Sequence, residues 1–504
     1  MRSKKAIINI TMTLLLQIVT MIYGFIIPKI IITSFGSNVN GLVSSITQFL
    51  AYITLLESGI GPVIKASLYK PIANKDKKEI ANVLRASEKF FRTISYIFIV
   101  YLIILAFIYP LIISTEFSYI YTLSLIIIIS ISTFAEYYFG MTYKLYLQAE
   151  QKTYVISIIQ IITYIFSIVI IVILAKLHCS IHLIKLISGF IFVLRPVMQN
   201  IYVKRKYQIN INLVDNEYKL KNKWDGLVQH IAAVIHGNTD VTILTIFSNL
   251  TEVSVYSVYY LIVKGINSII QAFTGGIDAS FGDMIAKKEQ ENLNRKFNIY
   301  EVFYFTTATI VYTSTIILIV PFVSIYTKGI TDANYIRPIF GVLLVLSEFM
   351  WAIRLPYSSI TLAAGHFKET KKGAWIEAIT NIVLSIILVF KYGIIGVAIG
   401  TLVAMLIRTI EFVYHTNKYI LNRNIFESVK KIIIIIIEVL LIVFLSKYLP
   451  KINIISYLTW IEYALLVGIL SVVIVLSVNI IIYRKEFKEM RNIFKNLFKQ
   501  RSKK

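Results

Sequence analysis

Long apolar stretches separated by short polar gaps run along the whole chain. Each stretch holds about 18 to 30 mostly hydrophobic residues, and roughly 20 such residues in a helix cross the hydrocarbon layer of a bilayer. We therefore predict an all-α integral membrane protein with about fourteen transmembrane helices. The predicted spans are 6–33, 41–69, 90–113, 119–147, 154–176, 180–203, 223–247, 253–284, 299–327, 335–363, 374–391, 393–417, 430–449 and 455–483.

The composition agrees with a protein that uses lipid as solvent. Of the 504 residues, 57% are hydrophobic and only 15% are charged, and the mean hydropathy is +0.73. The formal net charge of +24 comes from residues scattered over short loops. We therefore expect anionic lipid head groups, and no nucleic acid, as partners of these charges. Cys179 is the only cysteine, which excludes an intramolecular disulfide.

Lysine and arginine lie mostly in every second gap between the spans. If the N-terminus is cytoplasmic, 38 of the 51 basic residues fall in inside segments and six in outside loops. Positively charged loops resist translocation, so both termini are predicted to be cytoplasmic. The alternation favours fourteen spans over an odd number, although twelve stays open if one weak pair is miscounted.

Residue patterns typical of enzymes are missing from the sequence. The six histidines show no HExxH and no metal-ligand spacing. The predicted outside loops are about a dozen residues or fewer, shorter than the external loops expected of glycosyltransferases or sugar polymerases. We therefore predict a transporter that is not an enzyme and uses no metal or cofactor.

The two halves of the chain are related by an internal repeat. A shift of 212 or 213 residues aligns Glu136 with Glu348 and Arg195 with Arg408, and it superposes spans 1 to 6 on spans 7 to 12. Six is an even number, so the copies are parallel repeats with a central cavity expected between them. The predicted regions are an N lobe (1–206), a cytoplasmic linker (207–222), a C lobe (223–417), an additional helix pair (430–483) and a basic amphipathic tail on the inner leaflet (484–504).

Charged residues inside the spans are candidates for function, because a charge at bilayer depth is costly unless it is paired or hydrated. Cationic side chains pair well with phosphate, which suits an anionic substrate; carboxylates suit the cavity lining or a coupling ion. The candidate cations are Lys264, Arg354, Arg195 and Arg408, and the candidate carboxylates are Glu57, Glu136, Asp240 and Glu348. For Arg408, a structural ion pair with Glu411, three residues along the helix, is the alternative.

Small residues and prolines interrupt the predicted helices at matching depth in both halves. They fit close helix packing as well as a bend, and their matching depth favours a shared gate. The candidates are Gly59, Gly61, Pro62, Gly275, Gly276 and Pro356.

Several motifs resemble those of bacterial polysaccharide flippases. They are Phe35-Gly36, Asn40-Gly41-Leu42 and LLESGIGP at 55–62 in the first half, and RLPY at 354–357, AGHFKET at 364–370 and GIIGVAIGT at 393–401 in the second. The resemblance implies the multidrug/oligosaccharidyl-lipid/polysaccharide (MOP) superfamily, with two six-helix lobes around a cavity and an additional helix pair.

The same resemblance implies a function and a location. The expected activity is alternating-access flipping of an undecaprenyl-diphosphate-linked oligosaccharide to the outer face of the bacterial plasma membrane, for O-antigen, capsule or another surface polysaccharide. The polymerase and chain-length proteins of that pathway are further expected partners. The resemblance assigns no sugar-binding residue and leaves coupling to H⁺ or Na⁺ open.

Two other functions stay open on the sequence. One is a cation-coupled multidrug exporter of the same superfamily, in which Asp240 or Glu57 binds the coupling cation. The other is a non-transporting scaffold of a polysaccharide assembly complex.

Overall fold

The computed structural model describes residues 2–57, 60–208, 227–272, 277–366, 368–450 and 452–501, and every regular element in these residues is a helix. The elements of the first half are α1 (Arg2–Phe35), α2 (Ser37–Ala51), α3 (Thr54–Glu57), α4 (Ile60–Asn74), α5 (Lys77–Ile112), α6 (Tyr119–Ala135), a π turn (Glu136–Gly140), α7 (Met141–Ala149), α8 (Thr153–Lys176), α9 (Ile181–Tyr207) and α10 (Leu227–Phe247).

The second half continues with longer helices. They are α11 (Leu250–Ala272), α12 (Ile277–Ala286), α13 (Gln290–Tyr326), α14 (Pro338–Ala363), α15 (Lys371–Tyr392), α16 (Ile394–Tyr419), α17 (Phe426–Ser446), α18 (Tyr457–Ile482) and α19 (Arg484–Arg501).

The prediction of an all-helical membrane fold is confirmed. Described helices lie at all fourteen predicted spans, and twelve of these stretches are long and apolar enough to cross a membrane. The other two predicted spans correspond to α10 and α17. These helices carry more polar residues, such as Asp240 in α10 and Lys430, Lys431 and Glu438 in α17.

The chain divides into two compact units, Met1–Ser257 and Val258–Lys504. Helix α10 packs against α2 and α3 and belongs to the first unit. The predicted linker 207–222 falls almost wholly outside the described residues, so the predicted lobe boundaries stay a prediction.

Helix ends follow the sequence repeat closely. Helix α1 ends at Phe35 and α10 at Phe247, which is the 212-residue shift. The same shift relates the end of α9 at Tyr207 to the end of α16 at Tyr419. These two helix ends therefore occur at equivalent places in the two halves.

The faces of α17 illustrate how the helices meet lipid. Its buried side chains recur every three or four residues and include polar ones, whereas the exposed side chains after Lys430 are large and apolar. The buried face consists of Ser428, Lys431, Ile435, Glu438 and Ile442, and the exposed face includes Ile433, Ile436, Ile437, Leu440 and Phe444. This distribution is expected where the surrounding solvent is hydrocarbon, since polar groups are then satisfied only inside the protein.

The second predicted span differs from the prediction. A single helix over 41–69 was expected, but α2 ends at Ala51 and the chain turns through Tyr52 and Ile53 before α3. The Thr54 hydroxyl donates a 2.8 Å hydrogen bond to the Ala51 carbonyl. Such a local side-chain bond competes with the backbone hydrogen bonds of a helix. The hydrophobicity of the sequence does not reveal this competition.

Candidate functional site

The predicted charged residues divide between the two units. Glu57, Glu136, Arg195 and Asp240 lie in the first unit, and Lys264, Glu348, Arg354 and Arg408 lie in the second. The contacts of each group follow from the helices that carry it.

The two predicted glutamates of the first unit lie beside the π turn that joins α6 to α7. A π turn is a widened helical turn, frequent at functional sites. Glu136 opens it and accepts a 3.0 Å hydrogen bond from Lys144 Nζ. The next residue, Tyr137, donates from its hydroxyl to Glu57 Oε2 at 2.8 Å. Both carboxylates therefore take their partners from the segment 137–144.

Packing against α9 fixes the position of the π turn. A Cβ atom on Gly140 would lie 2.5 Å from Pro196 Cβ, so the backbones approach closely there. Arg195, the neighbour of this proline, is thereby held next to the widened turn.

Arg195 is held by aromatic rings and a hydroxyl group. Its Nε donates to Thr163 Oγ1 at 2.7 Å, and its guanidinium carbon lies 4.1 Å from the ring centroids of both Tyr164 and Phe192. Stacking on aromatic faces stabilises a guanidinium group. Its Nη2 is buried and makes no hydrogen bond within the described part of the chain. Arg195 therefore keeps one unused donor.

Asp240 is buried on α10, with 6% of its surface exposed. Its Oδ2 accepts a 2.9 Å hydrogen bond from the Tyr256 hydroxyl on α11. The bond joins two consecutive helices, so it favours a structural role of Asp240 at least as much as a role in binding a coupling cation.

Helix α2 meets α10 and the start of α11 along a polar seam. The hydroxyls of Ser45 and Thr245 are 2.7 Å apart, and the Tyr109 hydroxyl donates to Ser45 at 2.7 Å. A Cβ atom on Gly41 would lie 1.8 Å from the Leu250 carbonyl oxygen. Only glycine therefore allows α2 and α11 to approach this closely.

In the second unit the predicted arginines belong to one ion-pair network. Arg354 Nη1 lies 2.7 Å from Glu377 Oε1, and Arg408 Nε lies 3.4 Å from Glu377 Oε2. Arg408 Nη1 also contacts Glu411 Oε2 at 2.5 Å and donates to the Thr370 carbonyl at 2.8 Å. The alternative considered for Arg408, a structural pair with Glu411, agrees with this geometry. The network joins α14, α15 and α16.

Glu348 and Lys264 lie near a second polar group of this unit. Asn267 Nδ2 donates to Glu348 Oε2 at 2.7 Å, and the Tyr312 hydroxyl donates to Asn267 Oδ1 at 2.6 Å. Lys264 is one helical turn before Asn267 and is exposed. Among the described residues it forms no ion pair within 4.0 Å, in contrast to Arg354 and Arg408.

A buried charge cluster around Glu301 was not predicted from the sequence. The Glu301 side chain is fully buried, with Arg423 Nη2 at 3.0 Å and Lys431 Nζ at 2.5 Å from its Oε2. The Tyr357 hydroxyl donates to its Oε1, and Asn298 accepts from Lys431 at 2.9 Å. This cluster joins α17 to α13 and α14.

Glu301 and Glu377 were missed because each stands close to the start of a predicted span. The helices begin earlier, with α13 at Gln290 and α15 at Lys371. The two carboxylates therefore lie about 16 Å and 9 Å along their helices, at a rise of about 1.5 Å per residue. A search for acidic residues preceded by a long helical segment would have found both.

The predicted gate residues are only partly described. Gly59, Gly275 and Gly276 fall outside the described residues. Gly61 and Pro62 lie in the first turn of α4, where a proline removes no helical hydrogen bond. Pro356 lies inside α14, which is helical from Pro338 to Ala363. Within the described residues, no group of three His, Cys, Asp or Glu side chains is placed to hold a metal ion.

The described helices form the fold of a polytopic membrane protein. Solved structures similar to it are transporters: "Lipid II flippase MurJ, inward closed conformation" has a TM-score of 0.69 and 16% identity, over 95% of this chain and 99% of that one. An inward-facing multidrug resistance MATE family transporter of the MOP superfamily has a TM-score of 0.60 and 13% identity, over 84% of this chain and 99% of that one.

A mutant of the Vibrio cholerae MATE transporter VcmN gives a TM-score of 0.57 and 15% identity, over 84% of this chain and 98% of that one. No protein-family model and no curated protein matches the sequence. The chain thus has the fold of MOP-type transporters.

Proposed function

We propose that this protein is an alternating-access flippase for an undecaprenyl-diphosphate-linked oligosaccharide used in surface polysaccharide synthesis. It would act in the bacterial plasma membrane with both termini in the cytoplasm. Further partners would be membrane lipids and the polymerase and chain-length proteins of the same pathway. The proposal combines the motif resemblance with the structural similarity, and the O-antigen or capsule pathway is its most specific part.

The observation that carries the proposal is the extent of the structural similarity. The MurJ structure covers 95% of this chain, whereas the two MATE structures cover 84% although they are themselves covered almost completely. The uncovered 16% amounts to about 80 residues, close to the length of α17 to α19 at 426–501. The larger share of this chain that the MurJ structure covers therefore supports a flippase over a drug exporter.

The contacts of the predicted cations refine the proposed substrate site. Arg354 and Arg408 are neutralised by Glu377 and Glu411. Arg195 and Lys264 have no carboxylate partner within 4.0 Å in the described residues. A diphosphate is bound best by cations whose charge is not already compensated. Arg195 and Lys264 are therefore the residues that we propose for phosphate contact.

Deletion of the gene in its native bacterium tests the proposal. We expect loss of surface polysaccharide and accumulation of the lipid-linked oligosaccharide in the inner leaflet, with unchanged sensitivity to cationic drugs. Increased drug sensitivity with normal polysaccharide would instead indicate a multidrug exporter. Normal exposure of the lipid-linked oligosaccharide at the outer leaflet, together with loss of the polymer, would indicate a scaffold.

A further inference from the structure

Glu438 is a buried carboxyl group without a partner. It lies near the middle of α17 with 1% of its surface exposed. Both of its carboxylate oxygens are inaccessible and make no hydrogen bond within the described residues. Glu301, on α13, is equally buried but has two cationic partners.

The orientation of Glu438 excludes lipid as its surroundings. It belongs to the buried face of α17, which packs against α13 and α18, while the opposite face carries exposed isoleucines. On α13 the hydroxyls of Thr309 and Thr313 are also buried without partners. Glu438 is therefore enclosed by protein, and one of the helices that enclose it carries hydroxyl groups without hydrogen bonds in the described residues.

One side of a cavity lies one helical turn from Glu438. A small cavity is lined by Val302, Phe305, Thr306, Lys431, Ile435, Asn479 and Tyr483. Ile435 is the residue one turn before Glu438, and Lys431 belongs to the Glu301 cluster, about 10 Å from Glu438 along the helix. Polar lining groups in a small cavity are the setting in which proteins hold internal water.

The surroundings favour the neutral acid. An ionised carboxylate without a cation or hydrogen-bond donor is strongly disfavoured inside a protein, because desolvation is then uncompensated. The other charged and titratable groups that the packed elements bring to this region are Lys431, Glu301, Tyr304 and Tyr483. Lys431 is already paired with Glu301, so it does not neutralise Glu438.

We propose that Glu438 is a proton-binding site that couples transport to the proton gradient. One proton adds to a carboxylate oxygen in the closed arrangement seen here, and it passes to water when helix movement connects the site to the cavity. A proton fits better than a sodium ion, because a metal ion needs several oxygen ligands and, within the described residues, Glu438 belongs to no group of acidic side chains that could hold one. The coupling of Glu438 to transport rests on the proposed transport function, whereas proton binding by Glu438 does not.

Infrared difference spectroscopy of the purified full-length protein tests proton binding directly. We expect a carbonyl stretching band of a protonated carboxyl at neutral pH that disappears in Glu438→Gln and at sufficiently alkaline pH. The matched control is Glu462→Gln on α18, an exposed acid, which should leave the band unchanged. A band absent from the wild type, or one that never titrates, would overturn the proposal.

Flipping assays in vesicles with an imposed pH gradient test the coupling. Glutamine has the size of the neutral acid, so Glu438→Gln should unfold at the wild-type temperature, and the stimulation of flipping by the gradient should fall at least ten-fold. Full stimulation in this variant would refute the coupling. If the wild type flips no lipid-linked oligosaccharide, the proposed function fails, while the infrared result still decides proton binding.

Discussion

Arg354 and Glu377 form a 2.7 Å ion pair between α14 and α15, and both side chains are largely buried. Arg354 was expected to contact the substrate, but its partner is a carboxylate on the neighbouring helix. Arg408 approaches the second oxygen of the same carboxylate. Three helices of the second unit are thereby joined by charge in a region where hydrophobic packing alone gives little specificity.

We predict that Arg354→Gln destabilises the protein by about 2 to 4 kcal/mol, because removal of one partner leaves a buried charge that is only partly compensated. Thermal unfolding in detergent measures this change. The control Lys371→Gln, at an exposed position at the start of the same helix as Glu377, should alter stability by about 0.5 kcal/mol or less. Equal effects of the two substitutions would contradict a structural role of the pair.

Much of the fold could be predicted from the sequence, whereas the ion pairs could not. Hydrophobic length sets where helices lie, and the repeat sets where they end, as the matching ends at Phe35 and Phe247 show. The pairing of Arg354 with Glu377 depends on how α14 and α15 rotate about their axes. The polar residues Glu377, Asn381 and Ser385 recur every four residues along α15 and mark its buried face. That pattern does not tell which neighbouring helix the face meets.

Local departures from helical geometry were equally hidden from the sequence. The π turn at Glu136 and the helix break at Tyr52 arise from contacts with neighbouring helices and from single hydroxyl groups. These are tertiary or side-chain effects that an average over 18 residues removes. The candidate residues of the site were therefore identified in the sequence because they are charged, whereas their partners are known only from the structure.

The close approach of Gly41 to Leu250 leads to a prediction on α2 and α11. Gly41→Val should prevent the observed packing, because even the Cβ atom would overlap the Leu250 carbonyl oxygen. We expect a destabilisation of about 2 kcal/mol or more, typical of forced overpacking, measured by thermal unfolding. Gly468→Ala is the control: no atom lies within 4 Å of its added Cβ. That change should be neutral or stabilising by up to about 1 kcal/mol.

Arg195 provides a prediction on transport. Arg195→Gln should lower the flipping rate at least ten-fold, equivalent to about 1.4 kcal/mol, because it removes the guanidinium group whose Nη2 is unused. Arg195→Lys keeps the charge but loses the stacking on Tyr164 and Phe192, so an intermediate rate is expected. Reconstituted vesicles with a labelled lipid-linked oligosaccharide give these rates. Arg205→Gln, exposed at the end of the same helix, should flip at the wild-type rate, and an equal loss there would indicate a general effect of charge.

The orientation of the helix pair α17 and α18 can be tested by labelling. In a Cys179→Ser background, a cysteine introduced at Asn453, in the loop between the two helices, should react with an impermeant maleimide added to intact cells. A cysteine at Lys75, between α4 and α5, should react only after the membrane is permeabilised, because its basic loop is predicted to stay in the cytoplasm. Both positions are exposed, so accessibility within the protein does not separate them. Labelling of the Asn453 position only after permeabilisation would contradict the predicted outside position of the loop between α17 and α18, and with it the count of fourteen spans.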